Sequence, residues 1–182
     1  MILPADSLID ILDSLFPDNF KFSDEGNYLK DYLHSRSSKP EKGVTIDFTS
    51  KGINGKNVTL SQFKNPKNVL LHFWANWCFP CIREIPLIKE ISNQYGQKDL
   101  QIISVALKSS YGDFIEATEK YQMDWINIYN DADLINKYGN YPVPRICVID
   151  KTGILIYDSH GVTKNEDPQL SKLNQVLKSL VN

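Results

Sequence analysis

Residues 69–95 constrain this chain more than any other stretch. Val69 to Ala75 is a short apolar run broken by His72, and it reads as a buried strand. It leads directly into Asn76-Trp77-Cys78-Phe79-Pro80-Cys81. Beyond that, Ile82, Ile85, Ile88, Ile91 and Tyr95 recur at helical spacing up to Gly96. Two cysteines therefore fall at a strand-to-helix junction. Cys78 occupies the first turn, where backbone N–H groups lack intrahelical partners and the helix dipole favours an anion. A thiolate is the reactive form of cysteine, and such positions lower the thiol pKa from about 8.5 towards ~3.5–7.5. Cys81 follows one helical turn later, close enough to close a disulfide with Cys78 and less accessible. Cys78 is expected to attack and Cys81 to resolve. Pro80 suits a first turn, where its missing N–H has no partner to lose. Two blander readings exist for such a pair, a zinc half-site or inert packing. Zinc requires two more ligands from Cys147, His34, His72 and His160, and these show no second paired spacing.

The rest of the chain alternates between strand-like and helix-like segments. Val44 to Ser50 and Lys56 to Leu60 alternate apolar and polar residues around Asn54-Gly55, a hairpin pattern. Leu100 to Leu107 is a second buried strand, followed by a helical pattern at Phe114, Ile115, Thr118 and Tyr121. A short strand at Trp125–Tyr129 and a short helix at Ala132–Tyr138 come next. Arg145–Asp150 and Ile154–Asp158 are strands joined by a Lys151-Thr152-Gly153 turn. Asp167-Pro168 opens a last helix with Leu170, Leu173, Val176, Leu177 and Leu180 on its apolar face. This order implies an α/β fold, a central mixed β-sheet flanked by helices on both faces and preceded by a hairpin.

Upstream, Leu8 to Phe16 form a helical pattern with Asp6 or Ser7 as cap and Pro17 as stop, and a shorter one follows at Tyr28–Leu33. The polar connector Ser35–Gly43 holds a boundary. Residues 1–40 are read as a helical extension and 41–182 as the main domain. Met1 to Phe16 lacks the basic start and unbroken apolar core of a secretory signal. Two readings follow, a protein that stays inside the cell or a mature chain whose export signal is gone.

With 182 residues, the chain can bury roughly 70% of its unfolded surface and needs no disulfide scaffold. Its 20 basic and 22 acidic side chains argue against a nucleic-acid or anionic-membrane partner. No apolar run is long enough to span a membrane.

The string Phe73-Trp74-Ala75-Asn76-Trp77-Cys78-x-Pro80-Cys81-x-x-Glu84-x-Pro86 resembles the TlpA/ResA-like branch of thioredoxin-fold thiol-disulfide oxidoreductases, a redoxin group related to AhpC/TSA. The likeness covers about residues 43–181 and continues through Val143-Pro144 before RICVID. It implies a thioredoxin-like fold and disulfide exchange through Cys78 and Cys81 without a dissociable cofactor or metal. It further implies partner proteins bearing cysteine thiols or disulfides and an upstream thiol electron donor, a membrane-bound one included. It favours a reducing role in an oxidising compartment such as the bacterial periplasm, with the cytoplasm as the alternative.

Pro144 matches the family's cis-proline, whose neighbourhood leaves backbone groups free for an extended peptide. Trp77, Phe79, Pro80, Val143 and Pro144 are accordingly expected to form the partner-binding surface. Glu84 matches an acid near the redox centre that helps to move protons; its alternative is a solvent-facing residue paired with a lysine or arginine. Three positions depart from the pattern. His72 stands where relatives carry Asp or Asn, and it is either a base for Cys81, since imidazole titrates near neutrality, or a core histidine. Arg145 follows Pro144 where a small hydroxyl residue is more usual, and it favours acidic partners, steadies the Cys78 thiolate or points to solvent. Cys147 is read as buried packing rather than a third redox group. A redoxin-family peroxidase shares the fold but needs a Thr/Ser-x-x-Cys loop with an activating arginine, which Trp77–Cys81 lacks. A non-catalytic peptide-binding module is the other alternative.

Overall fold

The computed structural model describes residues 5–23, 26, 29–30, 46–96, 99–138, 143–160 and 168–180. Two short helices, α1 (Ala5–Leu15) and α2 (Asp18–Lys21), come first. α1 starts at Ala5, so Asp6 and Ser7 stand inside its first turn rather than capping it. Pro17 ends α1 as expected, and its extended backbone (φ −69°, ψ 154°) also opens α2, which the sequence pattern did not indicate. The connector after residue 34 and the boundary near residue 41 lie outside the described residues, as does most of the Tyr28–Leu33 pattern.

The hairpin pairs β1 (Thr49–Lys51) with β2 (Asn57–Thr59) in antiparallel register. Gly55 turns it at φ 77°, a left-handed conformation open to glycine at no steric cost. The first strand begins later than its alternation suggests. Asp47 Oδ1 accepts the backbone N–H groups of Phe48 and Ser61, both at 3.0 Å, a local bond that competes with ladder pairing.

The main sheet has five strands in the order β5-β4-β3-β6-β7. These are β3 (Asn68–Trp74), β4 (Leu100–Ala106), β5 (Ile126–Tyr129), β6 (Arg145–Ile149) and β7 (Leu155–His160). β3–β4 and β4–β5 are parallel, and β3–β6 and β6–β7 antiparallel, so the sheet is mixed as the element order implies. Central β3 is buried at every position, which explains its nearly unbroken apolar sequence.

Alternation along β3 divides the core into two layers. Val69, Leu71 and Phe73 pack with Phe48, Val58, Leu134 and Tyr138, that is, with the hairpin side and α5 (Ala132–Tyr138). Leu70 and Trp74 face the opposite layer. That layer is formed by α3 (Phe79–Tyr95), α4 (Tyr111–Lys120) and α6 (Pro168–Leu180). Ile85, Ile88 and Ile91 of α3 and Leu173 and Leu177 of α6 are buried there, each such side chain contributing about 1.5–3 kcal/mol of burial. α4 starts three residues before its apolar pattern because the Ser110 side chain accepts the Asp113 N–H at 3.2 Å and caps it. Among the described residues, no helix is long and apolar enough to cross a membrane.

Candidate active site

β3 delivers the chain to the first turn of α3, and Cys78 is the N-cap of that helix. Its backbone is extended (φ −86°, ψ 99°), and its sulfur accepts the Cys81 N–H at 3.2 Å. Cys78 and Cys81 form a disulfide, with Cα atoms 5.2 Å apart. Cys78 is 5% exposed and Cys81 0%. Pro80 lies in the first turn, where it costs no hydrogen bond, and Pro86 sits inside the helix.

Around this junction the surface is aromatic. Trp77 is 60% exposed and Phe79 69%. The Trp77 indole donates to the Lys108 carbonyl at 2.8 Å, in the loop after β4, and the Arg83 guanidinium lies 5.7 Å from the Phe79 ring centre. The Val143–Pro144 peptide bond is cis, and the Val143 carbonyl oxygen is 3.6 Å from Cys78 Sγ. The fold thus gathers Cys78, Cys81, Trp77, Phe79, Pro80, Val143 and Pro144 at one end of the sheet.

Glu84 lies on α3 three residues after Cys81, and His72 lies on β3. Both are fully buried, so the solvent-facing reading of Glu84 does not hold. His72 Nε2 is 3.3 Å from Glu84 Oε2, near enough for an ion pair but outside hydrogen-bond alignment. On the other side of the ring, Nδ1 lies 3.1 Å from Ser104 Oγ, and that oxygen accepts the Trp125 indole N–H at 2.7 Å. Ser104 and Trp125 were not singled out from the sequence. Ser104 carried a signal, as the lone hydroxyl in the apolar run Ile102–Leu107; Trp125 carried none beyond being aromatic.

Arg145 departs from every reading its position suggested. Its side chain is buried, not aimed at solvent or at a partner, and it pairs bidentately with Asp158 of β7. Nε lies 2.9 Å from Oδ1 and Nη2 3.1 Å from Oδ2, while Nη1 donates to the Tyr138 carbonyl. The guanidinium also sits 5.6 Å from the Phe73 ring centre. Cys147 is buried in the same layer, 3.7 Å from Asp158 Oδ1, as packing predicts. Burial, with the nearby Cys147 and Asp47 adding to it, raises the Tyr138 phenol well above its ordinary range. Among the described residues, no group of three or more His, Cys, Asp or Glu is placed to hold a metal ion.

Residues 43–158 match the model of the AhpC/TSA family. The chain is 29% identical to the thiol-disulfide oxidoreductase ResA of Bacillus cereus over 148 residues, covering 80% of this chain and 82% of that one. It is 31% identical to the thioredoxin-like protein YneN of Bacillus subtilis over 155 residues, covering 78% and 86%. Among solved structures it is similar to the thioredoxin domain of a thiol-disulfide oxidoreductase from Bacteroides vulgatus. That match has a TM-score of 0.67 and 21% identity, and covers 79% of this chain and 100% of that one. The fold is thioredoxin-like.

Proposed function

Because the chain belongs to the AhpC/TSA family and is a thiol-disulfide oxidoreductase, we propose that it uses Cys78 and Cys81 to reduce disulfides of partner proteins in an oxidising, exported compartment. The observation that carries this reading is the Cys78–Cys81 disulfide at the N-terminus of α3, with Cys78 the more exposed sulfur. In the reduced protein, the Cys78 thiolate attacks a partner disulfide, forming a mixed disulfide and releasing one partner thiolate. The Cys81 thiolate then attacks Cys78 Sγ, which re-forms the Cys78–Cys81 bond and releases the second. Two electrons pass to the partner, and an upstream thiol donor restores the dithiol. Glu84, with His72 beside it, serves the Cys81 proton. Trp77, Phe79, Pro80, Val143 and Pro144 seat the partner chain beside Cys78. Residues 41–182 form the domain that does this, and residues 1–40 an extension to it.

The test is a reduction potential set by equilibration with glutathione, together with partner capture on a Cys81→Ser variant. A potential near or below about −230 mV, the reducing side of the known thiol couples, supports the reducing role; one near about −120 mV assigns an oxidant instead. Consumption of peroxide at rates matching disulfide exchange would replace this reading with a peroxidase.

A further inference from the structure

Four side chains from four segments form one line that ends on the helix carrying the cysteine pair: Trp125 ahead of β5, Ser104 on β4, His72 on β3 and Glu84 on α3. We propose that Ser104 and Trp125 are positioning residues for the exchange reaction. They set the ring orientation and tautomer of His72, with Nδ1 accepting from Ser104 and the ring proton on Nε2 facing Glu84, so that Glu84 rather than His72 takes the proton of Cys81. This rests on the exchange reaction proposed above.

The direction of each hydrogen bond follows from what each group can do. An indole N–H donates and never accepts, so at 2.7 Å it occupies a lone pair of Ser104 Oγ. Ser104 is fully buried, and its other hydrogen-bond contact is His72 Nδ1 at 3.1 Å. A buried hydroxyl proton requires an acceptor, and Nδ1 is the one present. Nδ1 therefore accepts, and the proton of the neutral ring lies on Nε2. Charging the ring would put a second proton on Nδ1 and force the Ser104 hydroxyl to turn away from its acceptor.

From α3, Glu84 faces Nε2. From β6, the register neighbour of His72 is Ile146, and from β4 it is Ser104. Along β3, the Trp74 ring stacks at 6.4 Å from the imidazole. Among the described residues, the other titratable side chains buried in this layer are Cys78, Cys81, Tyr95 and Tyr157. Glu84 lies three residues after Cys81 on the same helix, a spacing that puts both on one face. The Cys81 S–H bond breaks as its proton moves to the Glu84 carboxylate. The thiolate sulfur then bonds to Cys78 Sγ while the bond from Cys78 to the partner sulfur breaks, and the partner leaves as a thiolate.

The tautomer of His72 can be read directly from its two imidazole 15N shifts, assigned by comparison with His72→Asn. The wild-type protein is expected to carry the proton on Nε2 with Nδ1 unprotonated. Ser104→Ala removes the donor to Nδ1 and should populate the Nδ1–H tautomer, and should change the pH profile of the resolving step. Ser104→Thr keeps the hydroxyl and should retain the wild-type shifts and profile. If Ser104→Ala does not fold, Trp125→Phe, at a half-buried position, should move both readouts in the same direction. An Nδ1–H tautomer in the wild type, or removal of the Ser104 hydroxyl with no change in either readout, overturns the proposal. The 15N measurement needs no turnover, so its failure is distinct from a failure of the exchange reading, which would appear as a Cys81→Ser variant that traps no partner.

Discussion

The carbonyl oxygen of Val143 stands 3.6 Å from Cys78 Sγ, and the Cys81 N–H points at the same sulfur from 3.2 Å. The two contacts have opposite sense. A thiol can donate to the carbonyl, whereas a thiolate is favoured by the amide, a bond that strengthens once the acceptor is charged. Together with the open end of α3, the amide weighs towards the anion.

Cys78 is therefore expected to be the most reactive thiol of the reduced protein. Limiting iodoacetamide near neutral pH should label it first, with Cys81 and Cys147 protected by complete burial. Mass spectrometry of the digested protein checks this. Faster labelling of Cys81 would exchange the attacking and resolving roles.

Glu84→Gln and His72→Asn should both change the pH dependence of insulin-disulfide reduction while the protein stays folded. Glu84→Gln removes the proton acceptor and should slow exchange by about 10²-fold where resolution limits the rate. Stopped-flow traces across the pH range provide the measurement. Two profiles superimposable on the wild type would make both residues structural.

Phe79→Ala is expected to spare stability, because the ring is already largely in water. It should lower kcat/KM for protein disulfides more than for oxidised glutathione, which needs less of the surface beside Cys78. Equal losses on both substrates would place Phe79 outside partner binding.

Asp158→Ala should destabilise the fold by about 3–5 kcal/mol, since it strands the buried Arg145 guanidinium without its carboxylate. Replacing both residues with apolar side chains of similar volume should restore most of that loss. Urea unfolding of the single and double variants decides it. A loss under about 1 kcal/mol for Asp158→Ala would mean water reaches the site.

Asp150 closes the β6–β7 turn through one carboxylate oxygen, which accepts the Thr152 N–H at 2.9 Å, the Thr152 hydroxyl at 2.7 Å and the Ile154 N–H at 3.0 Å. Burial alone would raise its pKa, but these bonds outweigh it and hold the carboxyl below the usual aspartate range. The folded value lies below the unfolded one. Its stabilisation is therefore complete above about pH 3.9 and lost as pH falls through the folded value. Asp150→Ala should cost about 1 kcal/mol near pH 7, kept small by solvent screening. The difference from wild type should shrink towards pH 2. Denaturation midpoints at the two pH values test it.

Much of this molecule was written in local sequence. The junction from β3 to α3, the cap at Cys78 and the helix Ala132–Tyr138 depend on residues within a turn or two of each other, where periodicity and capping chemistry act directly. The alternation of elements likewise implied a mixed sheet covered on both faces. Arg145 and the polar line from Trp125 to Glu84 were a different matter. His72 meets Ser104 across 32 residues as its register partner, and Arg145 meets Asp158 across 13, diagonally, two places along β7 from its own register partner His160. Which face a strand residue takes, and which partner lies opposite, is decided by pairing between distant segments. A sequence read one window at a time cannot tell a histidine aimed at a carboxylate from one satisfied by a carbonyl, nor an arginine at the surface from one locked in the core.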